Sequence, residues 1–290
     1  MVHCGKREGG GLLDSITAEL VRALLPRRDP RGHKGTFGKV CVYGGCVGYT
    51  GAPVYAGEAA ARTGSGLVYV GVPAEIYPIA AARCAAAMAC PVPEAYGELL
   101  AWMSRCDAAL IGPGLGRAEG TARAVRALLA DLPCPVVLDA DGINAAGAHM
   151  DVLTGRRRAG RQTVLTPHEG EFLRLGGNLA GGREAAALDL ARRLECVVVL
   201  KGPGTVVAEP GGRAMLCPAG NCGMAKGGSG DVLAGMVLSL IGQGAAPFDA
   251  AVCAVWLHGR AGDLCAGELT EYAMIPPDLI ERLPAVFKEL

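Results

Sequence analysis

From residue 39 onward, short apolar runs alternate with stretches of helical composition. KVCVYG is a run of this kind, and GAPVYAGEAAARTG after it reads as a helix. GLVYVGV is another run, followed by EIYPIAAARC with helical character, and DAALIG, PVVLDA, QTVLTP and CVVVLKG continue the series with Ala- and Arg-rich segments between them. Runs of four to six apolar residues alternating with helices predict a parallel sheet covered on both faces. TVVAEPGGRAMLC reads differently, as two short strands around a PGG turn and hence a hairpin. Beyond Gly230 the pattern is strongly helical, through VLAGMVLSLIG and DAAVCAVWLHGRAGDLCA. At the other end, Asp14 and Ser15 offer an N-cap for a helix running to about Leu25. Residues 26–36 read as an exposed connection, and the Gly-rich residues 1–13 as a disordered tail. With no internal repeat and no linker, residues 14–290 are expected to form a single domain.

Composition narrows the possible partners. The chain has 290 residues, with 28 basic against 28 acidic side chains, a balance that gives no electrostatic reason to expect nucleic acid or a membrane surface. No apolar segment is long enough to span a bilayer, and MVHCGKREGGG has no apolar core of a signal peptide, so a cytoplasmic location is expected. The 12 cysteines are scattered without a CxxC pair. Cys41 in KVCVYG and Cys196 in ECVVVL sit among apolar neighbours, so reduced, buried thiols are expected rather than zinc ligands or disulfides.

In parallel sheets, ligands bind beyond the carboxyl ends of the strands. YGG (43–45), GPGLG (112–116), DAD (139–141), TPHEGE (166–171) and KGPGT (201–205) each follow a predicted strand, and five such turns at one sheet end point to a shared site. The segment NCGMAKGGSGDVLAGMV (221–237) carries the chemistry. Gly227, Gly228, Ser229 and Gly230 form a loop without bulky side chains directly before a helix, whose unpaired N–H groups and dipole suit an anion. Asp231 falls in the first helical turn. There it either caps the helix or takes a proton from a hydroxyl while the loop amides hold the charge of a transferring phosphoryl group.

NCGMAKGGSGDVLAG closely resembles the signature of the ADP/ATP-dependent NAD(P)H-hydrate dehydratases, a branch of the ribokinase-like enzymes. HKGTFGKVCVYGG, GYTGAPVYAGEAAARTGSGLVYVGVP, GPGLG, VVLDADGIN, LTPHEGEF and VVLKGPGTVVA extend the resemblance over nearly the whole chain. It implies an α/β fold: a ribokinase-like three-layer α/β/α sandwich, with a mostly parallel central sheet and a small hairpin near the C-terminal end of the sheet. It also implies an activity. Hydrated NADH or NADPH would be phosphorylated on its C6 hydroxyl by ADP or ATP with Mg²⁺, and phosphate would then leave to restore the dihydropyridine.

The resemblance carries roles residue by residue. It makes Asp231 the base, with Gly228, Ser229 and Gly230 as the anion hole. Lys201, Gly202, Pro203, Gly204, Thr205, Asn221 and Gly230 fall at the nucleotide, although Lys201 read alone could be a solvated strand-end lysine. His168, Ala52, Gly116 and Asp231 fall at the hydrated cofactor, although a lone histidine is often structural. Glu171 and Asp139 fall near a metal or its waters, Asn144 near the phosphates, and Asp141 reads as a helix cap. A homo-oligomer, tetrameric by resemblance, is implied, as is cooperation with a separately encoded epimerase, since only about 35 residues precede the first strand. A vitamin-precursor kinase of the hydroxymethylpyrimidine or hydroxyethylthiazole type would share the glycine loop. TPHEGE and KGPGT speak against it, and the intact loop with Asp231 speaks against a non-catalytic binding protein on the same scaffold.

Overall fold

The structure, a computed structural model, describes residues 14–147 and 149–290; the expected tail at 1–13 lies outside the described residues. In chain order the strands are β1 (Asp14–Ser15), β2 (Lys39–Tyr43), β3 (Leu67–Val72), β4 (Met88–Pro91), β5 (Ala108–Ile111), β6 (Val136–Leu138), β7 (Thr163–Leu165), β8 (Val197–Leu200), β9 (Thr205–Ala208) and β10 (Ala214–Cys217). They form one sheet in the order β1-β10-β9-β8-β7-β6-β5-β2-β3-β4. From β8 to β4 every pairing is parallel, while β9 runs antiparallel to both β8 and β10. The predicted hairpin is therefore real, but it extends the same sheet.

The helices α1 (Ala18–Leu24), α2 (Gly51–Arg62), α3 (Tyr77–Arg83), α4 (Tyr96–Met103), α5 (Glu119–Asp131), α6 (Asp141–Ala146), α7 (Asp151–Arg158), α8 (Glu169–Arg174), α9 (Arg183–Leu194), α10 (Ser229–Gly242), α11 (Pro247–Ala273) and α12 (Pro276–Lys288) cover the two faces. Successive strand residues point to opposite faces. Val40, Val42 and Val199 accordingly join a core with α2, α10, α11 and α12, while Cys41, Tyr43 and Val198 join a second core with α4, α5, α7 and α9. The result is the three-layer sandwich expected. Small residues set the spacing of the first layer: a Cβ on Gly235 of α10 would come within 2.1 Å of the Ala56 carbonyl of α2.

Two local readings are corrected. Asp14 and Ser15 do not cap the first helix; they pair in parallel with Met215 and Leu216. The cap is Thr17, whose hydroxyl accepts from the Leu20 N–H at 3.3 Å. The strand Met88–Pro91 also escaped the pattern, because prolines and exposed positions interrupt it. The eleven cysteines among the described residues are all unpaired. No helix among them is long and apolar enough to cross a membrane.

Candidate active site

Parallel pairing places the C-terminal ends of β2, β5, β6, β7 and β8 side by side, so all five glycine- and proline-rich turns emerge at one edge. They interlock through backbone contacts that only small residues permit. The Gly45 N–H donates to the Pro113 carbonyl at 2.8 Å, and a Cβ on Gly112 would lie 1.8 Å from the Asp139 carbonyl oxygen. Ala52, the second residue of α2, lines the same seam beside Gly114. Gly116 has φ +75 and donates its N–H to Asp141 Oδ2 at 2.9 Å. A cavity of about 270 Å³ opens next to it, lined among others by Leu115, Arg117, Asp141, Asn144 and His149.

The charged centre comes from four elements. Asp139, at the end of β6, is only 2% exposed; its Oδ1 accepts from Lys201 Nζ at 2.9 Å and from Thr166 Oγ1 at 2.7 Å. Lys201 follows β8, and its ammonium lies against the first turn of α10, 3.1 Å from where a Cβ on Gly230 would be. Lys201 is therefore a buried, paired cation and not a solvated strand-end lysine. Burial works against its charge, but Asp139, Glu171 and Asp231 outweigh that effect and raise its pKa. Asp231 stands in the first turn of α10 and caps nothing. Burial pushes its carboxyl up to about 7; Asp139, Glu171 and Asp141 add to the rise and Lys201 opposes it. A carboxyl poised near neutrality next to a glycine loop at a helix N-terminus is suited to proton transfer.

The glycine loop leads directly into α10. Gly228 is the N-cap of α10 at φ +106, and a Cβ there would come within 2.9 Å of the Tyr55 ring and Pro276. Around Gly227 a Cβ would meet nothing within 4 Å, so that side of the loop is open. Ser229 is buried at the helix start. Asn221 braces the loop from upstream: its Oδ1 accepts from the Gly223 N–H at 3.0 Å and its Nδ2 donates to Asp263 at 3.1 Å. The KGPGT turn holds Gly202 at φ +140 and Gly204 at φ +65, and Pro203 lies between them. Thr205 Oγ1 donates to the Gly202 carbonyl at 3.0 Å. Arg183 Nη2 fixes the turn by donating to the Leu200 and Lys201 carbonyls at 3.0 and 2.9 Å.

His168 is the N-cap of α8. Its Nδ1 accepts from the Gly170 and Glu171 N–H groups at 2.9 and 3.3 Å, which leaves the neutral ring its proton on Nε2. The side chain is 55% exposed, so a cap role and a ligand contact are compatible. Glu171 closes the capping box by accepting from the His168 N–H at 2.9 Å. Asp141 does not cap α6 as expected. It is the first residue of that helix, and its carboxylate ties Gly116 to Asn144, whose Oδ1 accepts from Arg174 Nε at 3.1 Å. No group of three or more His, Cys, Asp or Glu among the described residues is arranged to hold a metal ion.

Residues 40–285 match the sequence model of the family described as NAD(P)H-hydrate dehydratase. The chain belongs to that family. It is 40% identical over 288 residues to a bifunctional NAD(P)H-hydrate repair enzyme of Moorella thermoacetica, across 95% of this chain and 54% of that protein. It therefore spans about half the length of the bifunctional relatives. An ADP-dependent (S)-NAD(P)H-hydrate dehydratase of Bacillus subtilis is 37% identical over 286 residues, 94% of this chain and 97% of that one. Among solved structures, the ADP/ATP-dependent NAD(P)H-hydrate dehydratase of B. subtilis co-crystallised with ATP and Mg²⁺ superposes with a TM-score of 0.80 at 32% identity, covering 96% of this chain and 98% of that chain. A hydroxyethylthiazole kinase of Pyrococcus horikoshii, at 18% identity and a TM-score of 0.58, shares the ribokinase-like dehydratase fold alone.

Sequence reasoning placed Thr166 in the TPHEGE turn but gave it no role, and it did not single out Arg183 or His258. Thr166 and Arg183 act on partners distant in the chain, and His258 lies inside α11 among apolar residues.

Proposed function

We propose that this chain is an ADP-dependent (S)-NAD(P)H-hydrate dehydratase, and that Asp231 is its general base. The observation that carries the reading is the carboxyl poised near pH 7 in the first turn of the glycine-loop helix, facing the Lys201–Asp139 pair. Asp231 takes the proton of the C6 hydroxyl as that oxygen attacks the terminal phosphorus of the nucleotide. The P–O bond to AMP (or to ADP, from ATP) breaks as the new one forms. The amides at Gly228, Ser229 and Gly230 hold the charge on the equatorial oxygens, and positioning with charge stabilisation does most of the work. The ring nitrogen then pushes electrons toward C6, phosphate leaves with the C–O electron pair, and loss of a C5 proton restores the double bond. Hydroxide would be a poor leaving group here and phosphate a good one, which explains why a nucleotide is consumed.

Lys201, Gly202, Pro203, Gly204, Thr205 and Asn221 line the nucleotide side of this arrangement. Ala52, Gly116 and His168 line the cofactor side. Three carboxylates, Asp139, Glu171 and Asp231, face the single ammonium of Lys201. That surplus fits a hydrated Mg²⁺ held through its waters by Asp139 and Glu171, since Mg²⁺ keeps several waters and takes few protein ligands. When bound, the ion neutralises phosphate charge. The unpaired thiols support a reducing compartment such as the cytoplasm. Residues 14–290 acting as one domain in a tetramer complete the proposal; sedimentation tests the assembly.

The test incubates the protein with hydrated NADH, Mg²⁺ and either ADP or ATP. Dihydropyridine absorbance and phosphorus NMR should report NADH, AMP and phosphate in equal amounts from ADP. A persistent phosphomonoester would favour a kinase, and NADH restored without nucleotide consumption would overturn both.

A further inference from the structure

Among the described residues, three buried side-chain atoms have no hydrogen-bond partner: Arg183 Nε, Arg282 Nε and His258 Nε2. The two arginines are satisfied through their other nitrogens, Arg183 by Glu169 and two carbonyls, Arg282 by Glu268. His258 is different. It is 8% exposed, in the stretch of α11 from Val252 to Gly259 that is otherwise apolar core. Its ring lies beside the Ser229 main chain and within the field of Lys201, and burial draws its pKa down to about 4, so it is neutral at physiological pH. The next residue, Gly259, is pressed against Ala219, where a Cβ would come within 2.7 Å of the Ala219 carbonyl. His258 therefore sits behind the phosphate loop, between its upstream arm and the start of α10.

An unpaired polar atom in a core is a standing penalty to folding, and Leu or Met would fill this position without it. Such penalties persist where function requires the group.

We propose that His258 is a positioning residue of the anion loop, holding the Ser229 peptide from behind and completing its hydrogen bonding at Nε2 when the nucleotide phosphates are in place. The inference rests on the reading of residues 227–230 as the phosphate site.

The test compares wild type, His258→Leu and His258→Gln as full-length proteins. Thermal melts are recorded with and without ADP, ADP affinity is measured by calorimetry, and kcat and KM are determined separately. His258→Leu removes the orphaned Nε2 but also the hydrogen bond to the Ser229 main chain. The two effects largely offset, so the melting temperature without ligand should stay within about 2 °C of wild type. In the same variant, ADP should bind about tenfold more weakly, KM for ADP should rise, and KM for the hydrated cofactor should stay unchanged. His258→Gln, which restores a donor and an acceptor, should recover most of the affinity. Wild-type affinity in His258→Leu would overturn the inference. So would a fall in melting temperature and affinity together that Gln leaves unrepaired, because that marks a purely structural residue. If wild type itself fails to bind ADP, the phosphate-site reading fails first.

Discussion

Arg156 and Lys201 are both buried cations, at opposite ends of the same sheet, and they are treated in opposite ways. Arg156, 1% exposed in α7, sits where β6 and β7 begin. Its guanidinium donates to the Leu129, Leu132 and Cys134 carbonyls at 2.7, 3.0 and 2.9 Å and to Thr163 Oγ1 at 3.1 Å. No carboxylate among the described residues approaches within ion-pair distance, and burial lowers its pKa to about 10, still well above neutrality. It satisfies the carbonyls at the C-terminus of α5, and they satisfy it. Lys201 lies where β8 ends, among more carboxylates than it can neutralise, and they raise its pKa. The first cation closes every hydrogen bond around it. The second leaves Asp231 half-titrated near pH 7 and stands close to an imidazole whose Nε2 has no partner. A finished electrostatic network marks structure, and an unfinished one marks the place where a ligand supplies the rest.

The sharpest test of that contrast is Asp231→Asn. Turnover should fall by roughly 10²–10⁴-fold, the range for a lost general base, with the fold intact. In wild type, kcat/KM should rise with pH through about 7 as the carboxyl ionises. The sign of the stability effect is opposite. A carboxyl with a folded-state pKa of about 7 against an ordinary 3.8 binds more protons when folded. Its contribution is therefore fully present below the ordinary value and lost as pH rises through 7. Asp231→Asn should thus gain melting temperature over wild type more at pH 8 than at pH 5. Equal differences at both pH values would remove the buried-base argument.

Exchanging each cation for methionine comes next. Arg156→Met leaves several buried carbonyls without a donor and should cost about 3 kcal/mol in denaturant unfolding, while the protein that stays folded keeps its kcat. Lys201→Met should also lose stability, because Asp139 keeps a buried charge without its cation. Unlike Arg156→Met, it should in addition lose about tenfold in turnover and move the acidic limb of the pH profile upward, because Lys201 no longer opposes the rise at Asp231. If Lys201→Met is as destabilising as Arg156→Met and leaves the limb in place, both lysine and arginine are structural. A milder version is Thr166→Val, which removes one donor to Asp139. It should cost about 1 kcal/mol and shift the same limb slightly.

These residues also mark the limit of what a sequence can disclose. The five turns at one sheet edge were legible because strand periodicity and glycine placement are local, and parallel pairing then forces them together. The glycine loop before α10 was legible because glycines followed by a helix carry their own physics. What escaped depends on distant partners. Thr166 reaches Asp139 across 27 positions and Lys201 reaches it across 62, and neither pairing leaves a local mark. Asp14 and Ser15 read as a cap because two residues are too short for any period, and only Met215 and Leu216 make them a strand. Arg156 stands in RRR (156–158) with nothing local to separate it from its two neighbours; its burial follows from where α7 lands. His258 sat inside a helix whose other inward positions are apolar, and only the missing partner sets it apart.

The smallest effect concerns backbone strain. The Gly142 N–H donates to the Asp139 carbonyl at 2.9 Å, closing a four-residue turn with Ala140 at φ 49 and ψ −118. That is the first central position of a type II′ turn, a conformation glycine adopts freely and alanine resists. Asp139 and Asp141 flank it, one gripping Lys201 and the other gripping Gly116, so the strain sits at the functional end of the sheet and not at the Arg156 end. Such residues cost of order 1–3 kcal/mol. Ala140→Gly relieves this but gives the unfolded chain more freedom, worth about 0.4–1 kcal/mol in the other direction. The balance should be a gain of between about 0 and 2.5 kcal/mol, read as a rise of up to several degrees in melting temperature. Turnover should fall about two- to threefold, because a turn with glycine at its centre aims the two aspartates less firmly. A loss of stability would show that Ala140 is not strained, and unchanged turnover would show that the turn positions nothing.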